Sequence, residues 1–123
     1  MTEQGREQKR SDFRTNLSYP IWYRDAAASR PGADWARTLS LDLSGGGASI
    51  ELVDDRRLSR HSADLLELQV ILPPIPVFAI GKIVRVFMHE RGVLCAAIMF
   101  VSIAPEDKDR IIRAVLNEGL GKA

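Results

Sequence analysis

Read from the N-terminus, hydrophobic patterning first becomes regular at Tyr19-Pro20-Ile21-Trp22-Tyr23-Arg24, a run of β-forming side chains in which Pro20 marks an edge strand or a strand start. This predicts the first strand. After the turn cluster Ser29-Arg30-Pro31-Gly32-Ala33, a second strand is expected over Trp35 to Leu43, where Thr38-Leu39-Ser40-Leu41-Asp42-Leu43 alternates polar and apolar. Ala48 to Val53 alternates in the same way and gives a third. A polar stretch from Asp54 to Asp64 reads as a loop. Alternation resumes over Leu66 to Leu72 and is closed by Pro73-Pro74, which cannot continue a paired strand. Val77 to Met88 predicts a fifth strand, with Gly81 inside it pointing to a bulge or a barrel-closing bend. His89-Glu90-Arg91-Gly92 supplies a turn, and the nearly continuous apolar run Val93 to Val101 reads as a sixth strand buried on both sides.

The period changes after Pro105, a residue suited to the first helical position. Glu106 and Asp107 favour the positive end of a helix dipole, and Ile111, Ile112, Val115 and Leu116 form one apolar stripe. Glu106 with Arg110 and Asp109 with Arg113 are spaced for ion pairs on the exposed side, and Gly119 and Gly121 supply the stop. Short, evenly spaced strands with no helix between any two of them argue for an antiparallel barrel. The expected fold is therefore mainly β: a six-stranded antiparallel β-barrel over residues 16–118 that includes a C-terminal α-helix, preceded by a flexible N-terminal arm over 1–15 and followed by a tail over 119–123.

With 123 residues, 46% hydrophobic and 27% charged, the chain suits one globular domain that needs no metal or disulfide. A formal net charge of +1 removes any general attraction to polyanions, so an anionic ligand would have to be held by local arginines. The arm offers them: Arg6, Lys9, Arg10 and Arg14 outnumber its acidic residues. The lone Cys95 lies in an apolar run and reads as core packing. No long apolar segment and no signal-peptide pattern are present, which makes the cytoplasm the expected compartment, with no membrane insertion.

Chemistry concentrates at Asp42-Leu43-Ser44-Gly45-Gly46-Gly47, between the second and third strands. Three glycines permit positive φ and close approach of a ligand to backbone N–H groups, while Asp42 and Ser44 supply oxygens at the same rim. An ordinary hairpin turn uses the same residues, with Asp and Ser bonding their own backbone.

Two motifs bear on the choice, each weak by itself. Arg10-Ser11-Asp12-Phe13-Arg14 has the form RxxxR, and Asp42 to Gly47 has the form (D/N)xSxxG, in that order and 28 positions apart. Together with Gly81-Lys82-Ile83-Val84-Arg85-Val86, the Phe100 strand ending and the Pro105-Glu106-Asp107-Lys108 helix start, the chain resembles PilZ domains from Lys9 to about Leu116. That resemblance implies a small bacterial β-barrel that binds the second messenger cyclic di-GMP and takes part in motility or exopolysaccharide regulation. It implies ligand contacts from Lys9, Arg10, Arg14, Asp42, Ser44 and Gly47, with no cofactor, metal or catalytic residue. Many ligand-binding members carry a further arginine where this chain has Lys9, which keeps the charge but lacks the planar fork; Arg6, in the overlapping frame Arg6 to Arg10, could take its place.

The chemistry suits the residues. Guanine presents O6 and N7 to a guanidinium fork, as Arg10 or Arg14 would supply, and its N1–H and amino group to a carboxylate such as Asp42. Lys82 and Arg85 read as exposed barrel charges that could flank the site. The expected mechanism is ordering of the arm over the ligand to create a surface for a downstream protein, in a monomer or a ligand-linked dimer. The alternatives are a PilZ-like adaptor that works through protein contacts without nucleotide, and a single-strand nucleic-acid binder, against which near-neutral charge and 7% aromatics count. An enzyme fits least: His61, His89 and Cys95 lack metal-ligand spacing, Asp54-Asp55 sits beside Arg56-Arg57, and Ser44 has no base to activate it.

Overall fold

The computed structural model describes residues 18–26, 35–53, 65–89 and 92–121. Six strands, β1 (Pro20–Asp25), β2 (Ala36–Ser44), β3 (Gly47–Glu51), β4 (Leu65–Val70), β5 (Val77–Met88) and β6 (Leu94–Ile103), are followed by one helix, α1 (Pro105–Gly121). All strand pairs are antiparallel, and the order β1-β2-β3-β6-β5-β4 closes into a barrel through pairing of β4 with β1. The expected architecture is thus the one found. The helix runs past residue 118, the expected end of the domain, to Gly121.

Side chains alternating inward from every strand fill the barrel: Ile21, Tyr23, Leu43, Ile50, Leu66, Leu68, Val70, Val77, Ile83, Ala96 and Ile98 are buried there. Ile111 and Val115 of α1 join the same core, so the helix closes one end of it. Arg110 fastens α1 to the β4–β5 connection by donating to the carbonyl oxygens of Leu72 (3.1 Å), Pro73 (3.2 Å) and Ile75. Its ion pair is with Asp107, at 3.6 Å, and not with Glu106, because the guanidinium is turned toward the barrel and away from the exposed face.

Strand β2 departs from the simplest reading of its pattern. Thr38 and Ser40 point into the barrel and Leu39 is 52% exposed, the reverse of what the leucines suggest. The buried hydroxyls are satisfied: Thr38 Oγ1 donates to the Glu51 carbonyl at 2.9 Å, and Ser40 Oγ accepts the Tyr19 N–H at 2.9 Å. Pairing then slips, Ser40 facing Ile50 and Asp42 facing Ser49, so Leu41 is an extra residue in a β-bulge. The bulge resets the phase. Beyond it Leu43 faces the core and Asp42 faces outward.

Strands β5 and β6 pair with two further slips. The irregularity expected at Gly81 lies between Ile80 and Gly81, and its extra residue is Val101 of β6. A Cβ at Gly81 would stand 2.4 Å from Ile98 Cγ2, so the glycine admits the neighbouring strand. At the second slip, between Ile83 and Arg85, Val84 is the extra residue and is 52% exposed. Strand β6 is not buried on both sides as its composition suggests: Met99 and Val101 are each 47% exposed on the outer face.

The Tyr19 hydroxyl is buried beside the Glu118 carboxylate, and burial, followed by the Glu118 charge and its hydrogen bonding to the phenol, raises its pKa. Folding therefore favours the protonated phenol, and the stability tied to it is present below the unfolded-state pKa of about 10 and is lost as pH rises above it. Tyr19→Phe should change stability at neutral pH by no more than about 1 kcal/mol, since it removes the buried hydroxyl together with its contact to Glu118. Urea denaturation compared between pH 7 and pH 10.5 should show a steeper loss in the wild type than in the variant.

Candidate functional site

Cross-strand register assembles the site. Asp42 pairs with Ser49, Ser49 with Ala97, and Ala97 with Arg85, so these four form one outward-facing row across β2, β3, β6 and β5. Three inter-strand steps separate its ends, about 14 Å between backbones. Both ends owe their direction to bulges, at Leu41 and Val84. Ser49 and Ala97 make a low floor between a carboxylate and a guanidinium. The next row is Ser44, Gly47, Met99 and Lys82, in which Lys82 and Met99 are exposed. On the other side lie Glu51, Cys95 and Phe87, with the Arg85 guanidinium 4.5 Å from the centre of the Phe87 ring.

Asp42 is fixed at the rim: its Oδ1 accepts the Ser49 N–H at 3.2 Å. Ser44 is almost wholly buried and its hydroxyl braces the turn, accepting the Gly46 N–H at 3.2 Å and approaching the Gly47 carbonyl at 3.5 Å. This places it as a support for the turn more than as an open hydroxyl. The Gly46 carbonyl accepts the Phe100 N–H at 2.9 Å, tying the turn to β6.

The three glycines do not serve positive φ, which among the described residues occurs at Gly92 alone. Close packing explains two of them. A Cβ at Gly47 would stand 2.1 Å from the Ile98 carbonyl oxygen, and one at Gly45 would stand 2.8 Å from Ile112 Cγ1 and 3.6 Å from Lys108 Cε. Gly46 is exposed, and a Cβ there would meet nothing nearer than 3.9 Å. Gly45 thus lets α1 rest on the turn and brings Lys108, an exposed cation with no ion pair among the described residues, to the rim. Sequence spacing gave no sign of this contact. Nor could it show the roles of Ser49 and Ala97, which depend on register.

Lys9, Arg10 and Arg14 lie outside the described residues, as do His61 and the Asp54 to Arg57 group. Tyr19 bears on the arm nonetheless. Its carbonyl accepts the Ser40 N–H at 2.9 Å, so β1 begins beside β2 near Asp42, at the end that carries the glycine turn. Cys95 is fully buried, though it occupies the outward row with Glu51 and Phe87 and not the barrel interior. Burial, with the Glu51 charge second, raises its thiol pKa and keeps it protonated. No group of three or more His, Cys, Asp or Glu able to hold a metal occurs among the described residues. No helix among them is long and apolar enough to cross a membrane.

The sequence profile of the PilZ domain matches residues 8–117. The chain belongs to the PilZ domain family. No curated protein matches it. Among solved structures it is similar to the Bacillus subtilis inhibitor of motility MotI/DgrA, with a TM-score of 0.77 and 22% identity over 94% of this chain and 53% of the other. It spans about half the length of that protein. The PilZ domain of YcgR from Escherichia coli, solved with c-di-GMP, is similar over 94% of this chain and 100% of its own, at 15% identity and a TM-score of 0.62. The PilZ domain of CeSA from a cellulose-synthesizing bacterium gives a TM-score of 0.60 and 18% identity over 86% of this chain and 97% of the other. At these identities the likeness is one of fold. It matches the closed barrel with its C-terminal helix.

The PilZ turn of this chain should divide by glycine. Gly47→Ala should cost about 1–3 kcal/mol or more, because the Cβ meets backbone that cannot step aside, whereas Gly46→Ala should stay within about 0.5 kcal/mol of wild type. Thermal denaturation of the two variants checks this, and equal melting temperatures would contradict it.

Proposed function

We propose that this PilZ domain is a receptor for cyclic di-GMP that seats the ligand on the outer wall of the barrel and closes its N-terminal arm over it. The observation that carries the reading is the row from Asp42 through Ser49 and Ala97 to Arg85, a small-residue floor with a carboxylate at one end and a cation at the other. Asp42 accepts the N1–H and amino group of a guanine, while Arg10 and Arg14 meet guanine edges or phosphates. Ser44 and Gly47 act by holding the turn in place. Lys108 and Arg85 add positive charge around two phosphates, and Lys9 or Arg6 extends the same field from the arm.

Chain length supports the arm's part. Arg14 lies four residues before Ser18 and can stand at most about 14 Å from it, and Arg10 at most about 28 Å. The arm leaves β1 beside Ser40, so both arginines are within reach of the rim without crossing the barrel. Fixing the five residues from Arg10 to Arg14 costs about 5–10 kcal/mol of backbone entropy, which favours a short ordered segment held by charged, bidentate contacts. The ordered arm then presents a new surface to a protein of the motility or exopolysaccharide machinery in the cytoplasm.

Calorimetric titration with cyclic di-GMP tests this. Arg10→Ala, Arg14→Ala and Asp42→Ala should each weaken binding by about five- to 150-fold, since each removes contacts worth about 1–3 kcal/mol. Lys108→Ala and Arg85→Ala should cost less, about threefold, and should reduce the sensitivity of binding to added salt. Wild-type affinity in both arm variants would defeat the model.

A further inference from the structure

Both tryptophans of the chain lie outside the barrel, and each is covered by an arginine. Trp22 of β1 and Arg37 of β2 are direct cross-strand partners, with the guanidinium carbon 4.4 Å from the ring centre. Two residues further along β1, Arg24 stands 4.1 Å from the centre of the Trp35 ring. The result is a checkerboard of two Trp–Arg pairs. Beside it, the row Arg24, Glu67, Ile80 and Ser102 runs across β1, β4, β5 and β6, and the row Trp22, Gln69 and Phe78 runs parallel to it.

A cavity of about 370 Å³ opens between these rows, walled by Trp35, Phe78 and Ile80 and by the ion pair of Arg24 Nε with Glu67 Oε1 at 2.7 Å. Phe78 is 57% exposed at its edge. This face lies on the other side of β2 from the row that ends in Asp42, and nothing in the nucleotide reading uses it.

We propose that this face docks a protein segment that carries an apolar or aromatic side chain next to a carboxylate. The apolar side chain enters the cavity between Trp35 and Phe78, and the carboxylate meets Arg37. Charge selects the partner: Arg24 already has Glu67, whereas Arg37 has no carboxylate among the described residues. A stacked guanidinium keeps its in-plane N–H donors, so Arg37 can donate two hydrogen bonds to one carboxylate without leaving Trp22. Tryptophan and arginine are also among the residue types in which interface energy concentrates. A nucleic-acid strand fits less well, because a run of phosphates needs several cations, whereas Arg24 is paired with Glu67 and the net charge of +1 supplies no wider positive field.

The tryptophans themselves report the test. The full-length chain is titrated with a short synthetic peptide of alternating glutamate and phenylalanine, which adds no tryptophan emission, and with its counterpart bearing lysine in place of glutamate. The expected result is a saturable change in tryptophan emission with the acidic peptide alone. It should weaken at least tenfold in Arg37→Glu and in Phe78→Ala, while the cooperative melting transition of each variant, shifted only by the lost contact with Trp22 or the cavity wall, shows that the barrel remains folded. The proposal is overturned by no saturable change, by equal binding of the lysine peptide, or by wild-type affinity in Arg37→Glu. It is also overturned if an oligothymidylate produces the change instead. Sedimentation showing a wild-type dimer that Phe78→Ala dissolves would assign the face to a second copy of the chain and overturn it as well.

Discussion

The site depends on strand parity and on the two places where parity is broken. In a closed barrel every second residue of a strand is committed to the interior, and a shift of one residue exchanges the faces. Ser40 is inside, so an unbroken β2 would send Asp42 inside too, placing a carboxylate in the apolar core near Ile50 and turning Leu43 out of it. The extra residue Leu41 reverses this and delivers the carboxylate to the surface. Val84 does the same for Arg85 on the far side of the floor. Bulges recur where a strand must re-aim a side chain, and here two of them define the ends of one row.

The glycine turn illustrates how a motif that looks made for a ligand can be required first by packing. Gly47 admits the backbone of β6 and Gly45 admits α1, while the Ser44 hydroxyl holds the loop between them. The two demands are compatible. A turn clamped between a strand and a helix cannot drift, and the carboxylate at its base is held with it through Ser49. A rim held this firmly keeps its outward side chains in one geometry, which is what a preorganised binding surface requires.

Much of the fold was legible because its signals are local. Proline and glycine punctuation, β-rich runs and the helical stripe of Ile111, Ile112, Val115 and Leu116 placed all seven elements, and β5 fell on its observed bounds from Val77 to Met88. Facing was less legible. Thr38 and Ser40 look like surface residues in β2, and their burial becomes understandable once Glu51 and Tyr19 are seen to satisfy them across the chain. The exposed Met99 and Val101 were hidden for a similar reason, since composition reports how apolar a strand is and not which neighbours cover it. Of the site, the motif residues Asp42, Ser44 and Gly47 could be read directly. Ser49, Ala97 and Lys108 could not, because register and helix docking bring them in from distant parts of the chain.

Closure of the strand ring has one more effect. With β1 bonded to β4, every strand has a neighbour on both sides for part of its length, and backbone is left paired on one side only where a strand outruns its neighbour, as β5 does beyond Lys82. This closure helps protect a small, apolar-rich protein from edge-to-edge aggregation. Wherever the ladder is complete on both sides, a molecule that recognises the barrel wall must do so through side chains, which makes the identities of the outward residues there the vocabulary of recognition.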